Sequence, residues 1–231
     1  MLKKLLIHLL CSVFFSPALA GEKDLYEFLW LDPDKEVYVL QNKKHPLQKK
    51  VFLNLGYISN LSSNFQDTNG TAFSLGYYFT EEIGIEIAQQ VYTNKDNNAY
   101  KSIQVVNGQI PFIRNPLSYT SIGLIYSPFY GKINTFNQIY YFNWSFGLST
   151  GKYVMESNLD SVLNPSEPNR YIKEHYNPIT LKTSFNFHIN DRVQLKLEFQ
   201  NTNITAGTPQ KPNDEDLTSI NDFLWSVGVS F

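Results

Sequence analysis

The sequence predicts an all-β chain: an eight-stranded antiparallel transmembrane β-barrel preceded by a short N-terminal segment. Three observations lead there. Eight runs alternate apolar with polar residues, the connections between them alternate short with long, and the polar face is crowded with glycine and serine. No stretch beyond the N-terminus offers the roughly 18 uncharged apolar residues that a membrane-crossing helix needs. Tyr and Phe, at 15 and 17 residues, favour strands.

Residues 1–20 read as a secretory signal: Lys3 and Lys4 are the basic head, Leu5 to Phe15 the apolar stretch and Ala18-Leu19-Ala20 the cleavage site. Cleavage there removes Cys11, the only cysteine, and with it all thiol chemistry. Lipid anchoring at Cys11 is the alternative, but His8-Leu9-Leu10 lacks the small residues expected ahead of a lipidated cysteine. Residues 21–50 are expected as a periplasmic segment, with the aromatic run Asp24 to Leu31, the turn Asp32-Pro33-Asp34 and a basic approach through Lys43, Lys44, His45, Lys49 and Lys50. Two readings stand side by side: aromatics resting on the barrel rim or membrane interface, or a docking or plug segment.

In a strand, successive side chains point to opposite faces. Val51, Leu53, Leu55 and Tyr57 are set outward against Asn54 and Gly56. Next, Phe73, Leu75, Tyr77 and Phe79 oppose Ser74, Gly76 and Tyr78, and Ile83, Ile85, Ile87 and Val91 oppose Gly84, Glu86, Ala88 and Gln90. The fourth run, Ile122, Leu124 and Tyr126, faces away from Ser121 and Gly123; the fifth sets Tyr140, Phe142, Trp144, Phe146 and Leu148 against Tyr141, Asn143, Ser145, Gly147 and Ser149. The sixth and seventh are Ile179 to His188 and Val193 to Gln200. The last, Ile220 to Phe231, carries Phe223, Trp225, Val227, Val229 and Phe231 on its oily side. Such a ridge left in water invites aggregation, and lipid is the simplest cover.

Short connections are expected at 80–82, 128–132 and 189–192, and long polar ones at 60–70, 93–117, 151–177 and 202–219. Outer-membrane barrels have short periplasmic turns and long external loops, which places both termini in the periplasm of a bacterial cell. A soluble barrel of the lipocalin kind shows the same alternation with its oily face turned inward. Its solvated face should be rich in Lys, Glu and Thr, whereas here glycine and serine dominate the polar side. Glycine weakens an exposed strand but makes room inside a narrow bore.

Eight strands leave an interior that side chains just fill, so the mid-strand charges Glu86, Lys182, Lys196 and Glu198 are expected to pair there as a structural network. The functional alternative is a gated ion path. Catalysis is disfavoured: His188 shares the inner face with Ser184 but falls at the periplasmic end, and His175 lies in a loop with no strand-borne serine beside it. Asp96-Asn97-Asn98 and Asp214-Glu215-Asp216 are weak hard-cation motifs. No catalytic residues, no metal site and no cofactor are expected. A formal charge of -2 with no basic patch excludes nucleic acid as a partner.

Residues 32–43, 76–86 and 127–134 resemble a family of small outer-membrane β-barrel-domain proteins from the delta-type proteobacteria, and the chain is more loosely similar to OmpA- and OmpX-type barrels. The resemblance implies a fold and an outer-membrane location, and brings no catalytic residues with it. Phe223, Trp225, Val227, Val229 and Phe231 also resemble the C-terminal signal by which such barrels are recognised by their insertion machinery. The expected partners are outer-membrane lipid, that machinery, and an external partner met through loops 93–117 and 151–177. The expected role is structural or interactive, in adhesion or envelope anchoring. The alternatives are a narrow ion or small-solute channel and a lipid-modifying enzyme.

Overall fold

The computed structural model describes residues 43–231 apart from 109, 136, 137, 165 and 167, and apart from the side chains at 107 and 213–215. The expected signal sequence and most of the N-terminal segment lie outside the described residues. In chain order the elements are β1 (Val51–Asn60), β2 (Gln66–Tyr78), β3 (Ile83–Asp96), α1 (Asn98–Asn107), β4 (Arg114–Thr135), β5 (Gln138–Ser157), α2 (Leu159–Leu163), β6 (Ile172–Tyr176), β7 (Ile179–His188), β8 (Val193–Thr208) and β9 (Lys211–Ser230).

Sequential strands pair antiparallel except that β7 pairs β5 rather than β6, and β1 pairs β9 from Phe52↔Ser230 to Asn60↔Asp222. The ring closes on eight strands. The extra strand, β6, adds only to the outer end of β5, from Tyr153↔Tyr176 to Ser157↔Ile172. Closure leaves the barrel no free edge. Residues 43–50, the C-terminal Phe231 and the turns at 79–82 and 189–192 gather at one rim, the termini end; the opposite rim is the loop end.

Alternation sorts the chemistry as the residues dictate. Leu55, Leu124, Ile179 and Trp225 are among the outward side chains, with exposures from 50% to 67%. Asn54, Ser74, Glu86, Gln90, Ser121, Asn143 and Lys182 are buried inside. Towards the loop end this order reverses. Ile58, Tyr92, Tyr119, Tyr153, Met155, Ile204 and Ile220 point inward and pack together, while Thr93, Thr120 and Lys152 are exposed outside. A second apolar layer, Phe52, Tyr78 and Ile125 with Leu47, closes the termini end. The lumen is therefore a polar layer between two apolar ones.

Several strands outrun the expected runs, because towards the loop end the pairing ladder continues while the oily face moves from outside to inside and the alternation changes phase. Loop 202–219 is instead a hairpin: β8 and β9 stay paired to Ala206↔Asp216, shift register, and turn after Thr208↔Lys211. Loop 151–177 is largely the end of β5, α2 and β6, and α1 occupies the middle of 93–117. The short turn expected at 128–132 is strand. Pro128 falls within a register shift between Tyr126 and Phe129, which returns Phe129 to the outside and Tyr130 to the inside. Beyond it β3 no longer pairs β4, and below His188 β7 no longer pairs β5, so a two-stranded ribbon projects from the termini end as far as Thr135↔Gln138.

Candidate functional site

The four mid-strand charges converge in the central layer. Lys182 on β7 approaches Glu86 on β3 at 2.9 Å, Lys196 on β8 approaches the other oxygen of Glu86 at 3.0 Å, and Lys196 also pairs with Glu198. All four are at most 8% exposed. The backbone around them is built to make space. Glu86 lies opposite Gly76 on one side and Gly123 on the other, Lys182 opposite Gly147, Lys196 opposite Ser226 and Glu198 opposite Ser184. A methyl group on Gly76 would sit 2.1 Å from the Phe52 ring and 2.5 Å from the Ile85 carbonyl oxygen.

Polar contacts continue upward from this quartet. Gln200 Nε2 donates to Glu198, Gln90 Nε2 donates to Gln200 Oε1 at 3.0 Å, and the Tyr92 hydroxyl lies between Gln90 Oε1 at 2.8 Å and Asp222 Oδ2 at 2.9 Å. Asn60 Nδ2 donates to the other Asp222 oxygen at 2.7 Å. Two voids flank the quartet, each of about 20 Å³, room for about one water. With apolar layers above and below, side chains fill the bore.

Residues 43–50 lie across the termini end. Lys49 N donates to the Tyr78 carbonyl and Tyr78 N to the Lys50 carbonyl, which extends the β2 edge. The Glu81 carboxylate accepts from Leu47 N at 3.1 Å, Gln48 N at 3.0 Å and Lys43 Nζ at 3.2 Å. Partial burial alone would raise the Glu81 pKa, but these donors outweigh it and hold the carboxyl below its ordinary value of 4.5. His45 is buried, its ring stacked on His188 at 4.7 Å and set edge-on to Tyr141 at 5.4 Å. Burial lowers its pKa below 6.5; Asp191, 3.2 Å away, opposes that shift, while Lys44 and Lys50 add to it. Lys43 and Lys44 lie over the rings of Tyr130 and Tyr141.

The histidines weighed for catalysis fall elsewhere. His188 Nε2 meets Asn143 Nδ2 at 3.0 Å rather than Ser184, and His175 is exposed on β6. Among the described residues no serine, histidine and acid come together. Asp96-Asn97-Asn98 is a helix start: Asn97 accepts from Tyr100 N at 3.1 Å and Asp96 accepts from Gln66 Nε2 at 2.8 Å. Asp216 pairs with Lys211. Of the C-terminal residues, Phe223, Trp225, Val227 and Phe231 are exposed on the outer wall and Val229 is half-buried there.

Sequence reasoning did not single out Asp222, Glu81 or the docking of His45. Asp222 was legible in principle, since it is in phase with the inward Leu224 and Ser226. The other two depend on contacts across more than 30 residues, which leave no local pattern.

No family model matches the chain, and no curated protein matches it either. Among solved structures, the chain is similar to the N-terminal β-barrel domain of Pseudomonas aeruginosa OprF, with 11% identity and a TM-score of 0.45 over 80% of this chain and 98% of that one. It is also similar to Ail, the attachment invasion locus protein of Yersinia pestis, with 9% identity and a TM-score of 0.42 over 80% and 99%. Neisserial surface protein A aligns with 11% identity and a TM-score of 0.37 over 78% and 94%.

Proposed function

We propose that this chain is an outer-membrane β-barrel with a sealed lumen, its termini on the periplasmic side, and that its role is structural or interactive rather than conductive or enzymatic. One observation carries the reading: the closed ring turns its oily face outward and buries a compensated charge quartet between two apolar layers. Hydrocarbon tolerates no unpaired backbone edge, and the closed ladder has none. The outward residues Phe223, Trp225, Val227, Val229 and Phe231 serve as lipid contacts and as the signal for the insertion machinery. Loops 93–117 and 151–177, with α1, α2 and β6, supply the external contact surface.

Planar-bilayer recording tests the sealed bore against the channel reading. Inserted wild-type protein passes no steady current, and Glu86→Ala and Lys196→Ala stay silent because Phe52, Tyr78, Tyr119 and Tyr153 still block both ends. Discrete conductance steps in the wild type, altered by either substitution, would establish the channel instead. The enzymatic alternative predicts changed lipopolysaccharide acylation when the gene is deleted; unchanged mass spectra are expected.

A further inference from the structure

Among the described residues, the loop end keeps a cavity of about 260 Å³ above the inner tyrosine layer. Its floor is apolar, with Met155 and Ile220 belonging to the inner cluster. Phe65 and Phe112 stand in the walls, and the rim carries small neutral polar groups, among them Ser63, Asn64 and Thr218. None of those three side chains takes a hydrogen-bond partner among the described residues. Among the described residues, Arg114 is the one charged residue lining the cavity. Its Nε donates to Glu174 at 2.8 Å and its Nη2 to the Gly207 carbonyl at 2.8 Å, so its charge is compensated, and its guanidinium lies 5.1 Å from the centre of the Phe112 ring.

The walls are held before any ligand arrives. Asn60 accepts from Ser62 N and Ser63 N while its amide is fixed on Asp222, and Leu61 N donates to the Asn221 carbonyl. Asn158, fully buried, accepts from Ile113 N at 2.8 Å and donates to the Pro111 carbonyl at 2.9 Å. Loops are ordinarily the mobile part of a fold. Here buried side chains pin them around an open space. A preformed, half-apolar concavity with a few convergent polar groups is the usual form of a small-ligand site, and barrel mouths are a usual place for one.

We infer that this mouth cavity binds a neutral sugar ring, such as the end of a glycan chain. At about 260 Å³ the space is more than ten times either void beside the quartet, room for a sugar ring rather than a single water. A pyranose has C–H faces that pack on phenyl rings and an apolar floor, and equatorial hydroxyls that both donate and accept, which matches Ser, Asn and Thr at the rim. With Arg114 already paired, the lining is close to neutral among the described residues, where a free carboxylate or phosphate finds no unshared cation. The inference rests on the loop end being a contact surface and names the chemistry of its partner.

The test is saturation-transfer NMR on the full chain refolded in detergent micelles, its folding checked by heat-modifiable gel migration. The probes are glucose, galactose, mannose and N-acetylglucosamine, with glucuronate as the acidic control. At least one neutral sugar should receive saturation on its ring protons. Phe65→Ala should weaken binding by about tenfold, the loss of one aromatic platform. Ser63→Trp, which fills the cavity from a loop, should abolish it, and Lys132→Ala, exposed on the ribbon at the termini end, should leave it unchanged. Transfer to no neutral sugar, transfer that survives Ser63→Trp, or transfer to glucuronate alone overturns the inference. Each of those results leaves the sealed-barrel reading standing, since that reading fails only on current through the bore.

Discussion

Glu86 is bound by two lysines at once, and its loss would leave both buried with only Glu198 to share. A buried pair is weak evidence for net stability, because desolvation offsets most of the attraction; breaking one is a different matter and costs about 3–5 kcal/mol. Glu86→Ala should lower the unfolding free energy by that amount in urea titrations of the detergent-refolded barrel. The glycines opposite the quartet matter for volume rather than for backbone conformation. Gly76→Ala forces its new methyl against Phe52 and the Ile85 carbonyl, and a destabilisation of about 1–3 kcal/mol is expected in the same titration, typical of overpacking. The four charges were legible in the sequence because each falls on the polar phase of a clear run. Asp222 was passed over for the opposite reason: β9 is so apolar around it that the ridge outside drew the reading.

At the scale of elements, the segment at 43–50 responds to acid in a direction that its contacts determine. The depressed Glu81 carboxyl contributes docking free energy that is present above its ordinary value of 4.5 and lost as pH falls through the lower folded value. His45 is held neutral by burial, so protonation favours release, and that loss begins as pH drops below 6.5. Both changes loosen the segment on acidification. Hydrogen exchange at the Leu47 and Gln48 amides should be slow near neutrality and faster, relative to the intrinsic rate, below pH ~5. Glu81→Gln should show fast exchange at neutral pH as well. None of this was visible in a basic, proline-containing approach segment. The strand faces were visible, because alternation records a wet side and a dry side. The loop-end extensions of β4, β5, β8 and β9 were not, since there the outward face turns polar and the inward face turns apolar, and the rule inverts midway along a strand.

For the molecule as a whole, strand number and closure were readable from an even count of runs joined by connections of alternating length, whereas the two apolar layers inside the bore were not: Tyr153, Met155, Ile204 and Ala206 fall in stretches assigned to loops, and Phe52, Tyr78 and Ile125 lie on the face read as polar. Those layers decide whether the barrel conducts; the outer belt decides where it resides. Trp225, half exposed on the outer wall beside Tyr57, reports on that belt directly. In a chain carrying Trp30→Phe and Trp144→Phe, refolded into vesicles, the emission of Trp225 should shift to the blue and be strongly quenched by lipids brominated on their acyl chains. A chain that stays in solution without detergent, with Trp225 emission indifferent to brominated lipid, would contradict the account.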